Sequence, residues 1–71
     1  MQDFQRAIGK RIRELRLKRG WSQEEFADIC GIHRGAHGQV ERGEKDVAIS
    51  TLRKISKGFD MNVSALLKGL N

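Results

Sequence analysis

Apolar residues recur at helical spacing over the first twenty positions of the chain. Successive members are separated by four, four and three residues, which places them on one face of an α-helix. Basic side chains cover much of the remaining surface. We therefore predict a first helix over residues 3–19, with Asp3 as a cap and Gly20 as the stop. Its apolar stripe consists of Phe4, Ile8, Ile12 and Leu15.

The second helix has the clearest local signal in the sequence. Ser22 and Glu25 stand three residues apart and match a capping box, in which each side chain bonds the backbone N–H of the other residue. Trp21 before the cap and Phe26 after it match a hydrophobic staple. The predicted helix then continues along an apolar face and ends at Gly31. That face contains Phe26, Ala27, Ile29 and Cys30.

Three further helices are predicted after short connections. The segment 32–43 needs tertiary packing to be helical, because each of its two interior glycines costs roughly 1 kcal/mol relative to alanine. A fourth helix is predicted from Ile49 to Phe59, and a short fifth helix begins after the cap Asn62. The alternation typical of strands is absent from the sequence. The pattern therefore predicts an all-α fold of five helices.

Composition narrows the classes of function. The chain has 71 residues, 14 basic against 9 acidic, with a net charge of +5 and a pI near 10. This length predicts a single domain over residues 1–71, too small for most enzymes. One cysteine excludes a disulfide framework. The sequence contains no apolar run typical of a membrane span or a signal peptide, so we expect a cytoplasmic protein. The basic balance favours nucleic acid or a membrane surface as partner.

Four segments together resemble a known family. IGKRIRELR (8–16), WSQEEFA (21–27), GI (31–32) and VERGE (40–44) are similar to the phage repressor/Cro-like (XRE-type) helix-turn-helix family. The resemblance extends over about residues 6–67. His33, Arg34 and the segment 39–44 also look like the small controller proteins of restriction-modification systems. The family implies a compact five-helix, lambda-repressor-like domain, in which the third helix lies in the DNA major groove and the second crosses the backbone.

The family pattern also implies roles for individual residues. Gln23, at the start of the second helix, would meet a phosphate. Arg34 and Gln39 would read bases, since arginine suits guanine and glutamine suits adenine. A structural ion pair between Arg16 and Glu41 would tie the first helix to the end of the third. The complete predicted DNA-binding set is Gln23, His33, Arg34, Gln39, Arg42 and Lys45.

The sequence departs from the family pattern inside the third helix. Gly35 and Gly38 occupy positions that face the groove in the family, where larger polar side chains are common, so base readout rests chiefly on Arg34 and Gln39. His37 stands where the family has an apolar core residue. Two outcomes are open for it: burial in the core, which we favour, or a contact to DNA.

The resemblance implies a transcription regulator that binds double-stranded DNA. It would act as a homodimer on a two-fold symmetric operator, as a repressor or as an activator and repressor, and would need no cofactor, small-molecule substrate or membrane. A surplus of apolar residues near the C-terminus supports the dimer: Phe59, Met61, Val63, Leu66, Leu67 and Leu70.

Two other classes of function are kept as alternatives. The chain could be an antitoxin-like or adaptor module whose main partner is another protein. The spacing C-x2-H-x3-H of Cys30, His33 and His37 suggests part of a metal or redox site, although a fourth ligand is missing. A cysteine at a core position is more often a small apolar residue, which makes the metal-binding interpretation the weaker one.

Overall fold

The computed structural model describes residues 2–70, and within that range the chain forms five helices and no strand. The all-α prediction is confirmed over these residues. No helix in this part of the chain is long and apolar enough to cross a membrane. The helices are α1 (Gln2–Lys18), α2 (Gln23–Cys30), α3 (Arg34–Glu41), α4 (Ile49–Gly58) and α5 (Val63–Leu66).

The C-terminal end of α1 and both ends of α2 follow the local signals in the sequence, whereas Asp3 lies in the first turn of α1 and is not its cap, because the helix begins one residue earlier. Gly20 and Gly31 both adopt left-handed backbone conformations, with φ of 74°, which glycine takes without steric cost. The capping box at the start of α2 is complete: the Glu25 N–H donates to Ser22 Oγ at 3.0 Å, and the Ser22 N–H donates to Glu25 Oε1 at 2.8 Å. The rings of Trp21 and Phe26 stack with centroids 5.3 Å apart, so the predicted staple is present.

An aromatic cluster lies at the centre of the core. Phe26 of α2 and Phe59 after α4 stack with centroids 4.1 Å apart, and Trp21 covers both rings from the turn. Arg19 closes the cluster, because its guanidinium lies over Trp21 and Phe59 and donates to the Phe59 carbonyl at 2.9 Å. The aliphatic residues buried in the same core are Ile8, Ile12, Val40, Leu52, Ile55 and Leu66.

Two apolar residues assigned to helix faces are exposed instead. Phe4 is 44% exposed, because the first turn of α1 lies beside the polar loop after α3, where Gln5 donates to Asp46. Ile29 is 48% exposed. It lies about 100° around α2 from the middle of the face formed by Phe26, Ala27 and Cys30, so it cannot share their burial.

Close approaches between helices occur at two glycines. A Cβ on Gly9 would lie 2.4 Å from the carbonyl oxygens of Val40 and Glu41, so the backbones of α1 and α3 are in contact there. A Cβ on Gly58 would lie 2.7 Å from the Cys30 sulfur, where α4 packs on α2. The crossing at Gly9 brings the last turn of α3 against α1, which determines where the exposed side of α3 points.

The C-terminal segment packs back onto α1. Asn62 caps α5 as expected, with its Oδ1 accepting from the Ala65 N–H at 2.7 Å. Arg11 donates to the carbonyls of Leu66 at 3.2 Å and Lys68 at 3.0 Å. Phe59 and Leu66 are fully buried in the core of this chain, so their side chains are not available to a second copy. The remaining apolar residues of the segment are only partly buried: Met61, Val63, Leu67 and Leu70.

Candidate nucleic-acid interface

The helix-turn-helix unit consists of α2, a glycine turn and α3. Gly31 reverses the chain, and the following Ile32 N–H donates to the Ala27 carbonyl at 3.0 Å. His33 then caps α3, because its Nδ1 accepts from the Gly35 N–H at 3.0 Å. Its predicted role was a groove contact. The capping role was missed because histidine is not among the usual N-cap residues.

One side of α3 is exposed and presents few side chains. Arg34 and Gly35 are exposed at its start, as the family pattern implied, and Ala36 is exposed beside them. Gly38 lies on this side as well, but it is buried. The reason is Arg42, whose guanidinium folds back over α3: a Cβ on Gly38 would lie 3.0 Å from Arg42 Nη1.

A groove of about 620 Å³ lies between the start of α2 and this side of α3. Three residues of the predicted DNA-binding set line it, namely Gln23, Arg34 and Arg42. The full lining is Arg16, Ser22, Gln23, Glu24, Arg34, Gly35, Gly38 and Arg42. Of the rest of that set, His33 and Lys45 are exposed and Gln39 is half-buried, and none of these three lines the groove.

Each of the two exposed arginines beside the groove is paired with one carboxylate. Arg34 Nη1 lies 3.0 Å from Glu24 Oε2, and these two side chains are 69% and 66% exposed. Arg42 Nε lies 2.9 Å from Glu44 Oε2, and this hydrogen bond lowers the pKa of the Glu44 carboxyl. Exposed pairs of this kind contribute little to stability, so both arginines can exchange their partner at low cost.

A buried carboxylate behind the groove joins three helices. Glu41 of α3 accepts from Arg16 of α1 through both oxygens, at 2.7 Å from Nε and 3.0 Å from Nη2. The side chains of this pair are 7% and 2% exposed. Gln23 of α2 donates its amide to Glu41 Oε1 at 3.1 Å. The structure therefore brings Arg16 and Glu41 together and adds Gln23, whose amide points toward this carboxylate.

His37 is the fourth partner of Glu41 and lies in the core. Its side chain is fully buried, with Nε2 2.6 Å from Glu41 Oε2 and its ring edge-on to Phe26 at 5.4 Å. Its Nδ1 has no hydrogen-bond partner among the described residues. Burial excludes the alternative of a DNA contact by His37, because the inward side of α3 faces Phe26.

The network changes the acidity of Glu41. Burial raises the pKa of this carboxyl, but the hydrogen bonds from His37, Arg16 and Gln23 outweigh it and lower the pKa to about 2. Glu41 is therefore ionised at neutral pH and balances the charge of Arg16. An ionised carboxylate with this many donors is a strong, directional link between helices.

The three residues of the C-x2-H-x3-H pattern have separate environments. Cys30 packs against Gly58 and Phe26, and burial raises the pKa of its thiol to about 11. His33 caps α3 at the surface, and His37 pairs with Glu41 in the core. Within residues 2–70 no group of three or more His, Cys, Asp or Glu residues could hold a metal ion.

Acid should weaken the fold through Glu41. Its folded-state pKa of about 2 lies below the usual 4.5, so the ionised form contributes stability above pH 4.5, and this contribution is lost as the pH falls toward 2. We expect Glu41→Gln to lower the free energy of unfolding by about 3–5 kcal/mol at neutral pH, because it leaves Arg16 buried without its counter-charge. The difference from the parent should shrink below pH 4.5 in urea titrations.

The control for this measurement is Glu14→Gln, which removes an exposed carboxylate from α1. It should leave both the stability and its acid dependence near those of the parent. Equal stabilities of Glu41→Gln and the parent at neutral pH would contradict the structural role of the buried pair.

The cap at His33 can be tested by substitution at one position. His33→Ala removes the acceptor of the Gly35 N–H and should lower the free energy of unfolding by about 1 kcal/mol. His33→Asn supplies an equivalent acceptor and should restore most of that loss. Urea denaturation of the two variants beside the parent measures the effect. If alanine and asparagine were equivalent, the imidazole would have no capping function.

Comparison with known proteins agrees with this architecture. The helix-turn-helix family model HTH_3 matches residues 12–66. The control protein C.SmaI of Serratia marcescens is 37% identical over 65 residues, which cover 92% of this chain and 77% of that protein. Two HTH-type transcriptional regulators, from Escherichia coli and Bacillus subtilis, also match, but this chain spans only 38% and 57% of their lengths.

Solved structures show the same fold. The restriction-modification controller protein C.AhdI from Aeromonas hydrophila superposes with a TM-score of 0.83 at 35% identity, covering 87% of this chain and 94% of that one. SinR, a master regulator for biofilm formation solved in complex with DNA, superposes with a TM-score of 0.79 at 32% identity, covering 86% and 98%. The resemblance to repressor-like helix-turn-helix and controller proteins is confirmed, and the chain belongs to the helix-turn-helix family, a non-enzymatic family of DNA-binding proteins.

Proposed function

We propose that this protein is a cytoplasmic transcription regulator that binds a specific double-stranded DNA sequence as a homodimer, with residues 1–71 acting as one DNA-binding domain. The groove beside α3 supports this function most directly. Two exposed arginines, the start of α2 and a side of α3 with few side chains surround it. This arrangement is the one with which a helix-turn-helix enters the major groove. The net charge of +5 suits a polyanionic partner.

Base readout is assigned to the two ends of α3. Arg34 is exposed at the first position of the helix and has N–H donors beyond the one used by Glu24, which suits the paired acceptors of guanine. Gln39 lies five residues further along α3, nearly one and a half turns, and suits adenine. The two glycines between them offer no side chain to a base, so these two residues carry the sequence preference.

Backbone contacts are assigned to the edges of the groove. Arg42 and Lys45 lie after the base-reading positions and would bind phosphates, while the free N–H groups at the start of α2, at Gln23, meet the phosphate on the other side. His33 lies beside these contacts at the start of α3. Contacts of this kind orient the protein on DNA without sequence preference.

The homodimer rests on the C-terminal half of the fold. A single domain of this size presents one recognition helix, whereas stable sequence-specific binding by this motif uses two half-sites. Ile49 at the start of α4 is 69% exposed, and Met61 and Val63, which follow the other end of α4, are half-buried. These residues leave apolar side chains on α4 and around the start of α5 for a second copy, related by a two-fold axis, to cover.

Substitutions in α3 should separate base readout from backbone binding. Arg34→Ala and Gln39→Ala should each weaken binding to the preferred sequence by about 1–3 kcal/mol and relax the preference at one position. Arg42→Ala should weaken binding to all sequences alike and reduce the salt dependence by about one phosphate contact. Selection from random duplex DNA, followed by titration at two salt concentrations, measures these effects.

The Arg42→Ala variant is the internal control, since it removes the same charge without removing a base contact. An unchanged selected motif for Arg34→Ala would contradict the assigned orientation of α3 on DNA. Failure of the parent protein to select any motif would contradict the proposed function itself.

The dimer predicts a symmetric site and a surface-dependent association. Sedimentation should show a dimer at micromolar concentration, and the selected DNA should contain inverted half-sites about one helical turn apart. Ile49→Glu should weaken association by placing a charge in the proposed interface. Ile29→Glu, which alters an exposed isoleucine on α2, is the matched control. The dimer would be contradicted if the parent protein sedimented as a monomer and selected DNA with only one half-site.

A further inference from the structure

We propose that Glu24 and Arg34 read DNA as one unit, with Arg34 contacting a guanine and Glu24 accepting a hydrogen bond from the amino group of a cytosine at or next to the same base pair. This inference rests on the proposed function and concerns the same groove. It assigns a specificity role to an acidic residue that a DNA-binding surface would ordinarily avoid.

The geometry of the pair carries the inference. Glu24 belongs to α2 and Arg34 to α3, yet Glu24 Oε2 lies 3.0 Å from Arg34 Nη1 across the turn. Both side chains are about two-thirds exposed and line the groove. The pair uses one N–H of the guanidinium and one oxygen of the carboxylate. Further donors of Arg34 and Oε1 of Glu24 therefore stay available to a ligand in the groove.

The surroundings leave space for a base edge. Gly35 lines the same groove beside Arg34 and contributes no side chain, whereas the space over Gly38 is taken by the Arg42 guanidinium. The remaining polar residues there have other partners: Arg16 and Gln23 donate to buried Glu41, the Ser22 hydroxyl accepts from the Glu25 N–H, and Arg42, at the far end of α3, pairs with Glu44 and is assigned to a phosphate. Glu24 and Arg34 are consequently the side chains on this side of the groove that can turn toward a base.

The negative charge of Glu24 determines which base can donate a hydrogen bond to it. A carboxylate held near DNA phosphates is repelled unless a donor satisfies it. In the major groove only cytosine and adenine offer an amino group, and the adenine amine lies beside the N7 acceptor, which repels a carboxylate. On cytosine, the ring position beside the amine carries a C–H and no acceptor. Glu24 therefore penalises sites that lack a cytosine, while Arg34 favours guanine, so that together they select G·C pairs.

The second exposed pair, Arg42 with Glu44, provides a comparison within the same protein. Glu44 follows α3 in the loop and does not line the groove. Its carboxylate competes with phosphate for Arg42 but faces no base in the proposed orientation. Removing it should strengthen binding to every sequence equally, whereas removing the Glu24 charge should alter base preference.

The test uses Glu24→Gln and selection from random duplex DNA. We expect the cytosine preference at one position to fall at least about fivefold, the lower end for a well-placed base contact, while the guanine preference supplied by Arg34 remains. Affinity for unrelated DNA should rise because a negative charge is lost. Asp28→Asn is the matched control, since it removes an exposed carboxylate from the same helix, outside the groove, and should keep the motif.

A second variant distinguishes the effect of the Glu24 charge from that of its hydrogen bond to cytosine. Glu24→Asp keeps the charge but draws the carboxylate back by one methylene, so it should lose the cytosine preference without a rise in affinity for unrelated DNA. The inference is overturned if the parent selects a motif and both Glu24 variants select the same motif with the same strength. If the parent selects no motif, the proposed function fails and this inference fails with it.

Discussion

The structure depends on one buried carboxylate. Glu41 is ionised inside the fold and accepts hydrogen bonds from Arg16 on α1, Gln23 on α2 and His37 on its own helix. A charge in this position is tolerable only when all of its partners are in place. The relative placement of the three N-terminal helices is therefore tied to a single side chain, at the end of the helix that faces DNA in the proposed function.

The Glu41 network compensates for the low intrinsic stability of α3. A helix of eight residues with two glycines has little stability of its own. The close crossing at Gly9, the burial of His37 against Phe26 and the Glu41 network hold it from one side. The opposite side of α3 is therefore not needed to hold the helix on the core. Gly38 can then accommodate the guanidinium of Arg42, and Gly35 can leave the groove open beside the Glu24–Arg34 pair.

The sequence predicted part of the candidate site and less of its arrangement, since three of the six predicted DNA-binding residues line the groove and three do not. Family likeness identified Gln23, Arg34 and Arg42, and the structure gathers them along one groove. It did not indicate that His33 caps α3, because histidine is not among the usual N-cap residues. Nor did it pair Arg34 with Glu24, since the two residues are ten positions apart and meet only when the turn at Gly31 brings α2 and α3 together.

Sequence alone determined the features whose causes lie within a few residues. The capping box of Ser22 and Glu25, the turns at Gly20 and Gly31 and the cap at Asn62 are local, because the interacting groups are at most five positions apart. Tertiary structure decided the burial of His37 and the exposure of Phe4 and Ile29. Those outcomes depend on which helix lies opposite each face, and that is determined by contacts between segments distant in the chain, such as Gly9 against the last turn of α3.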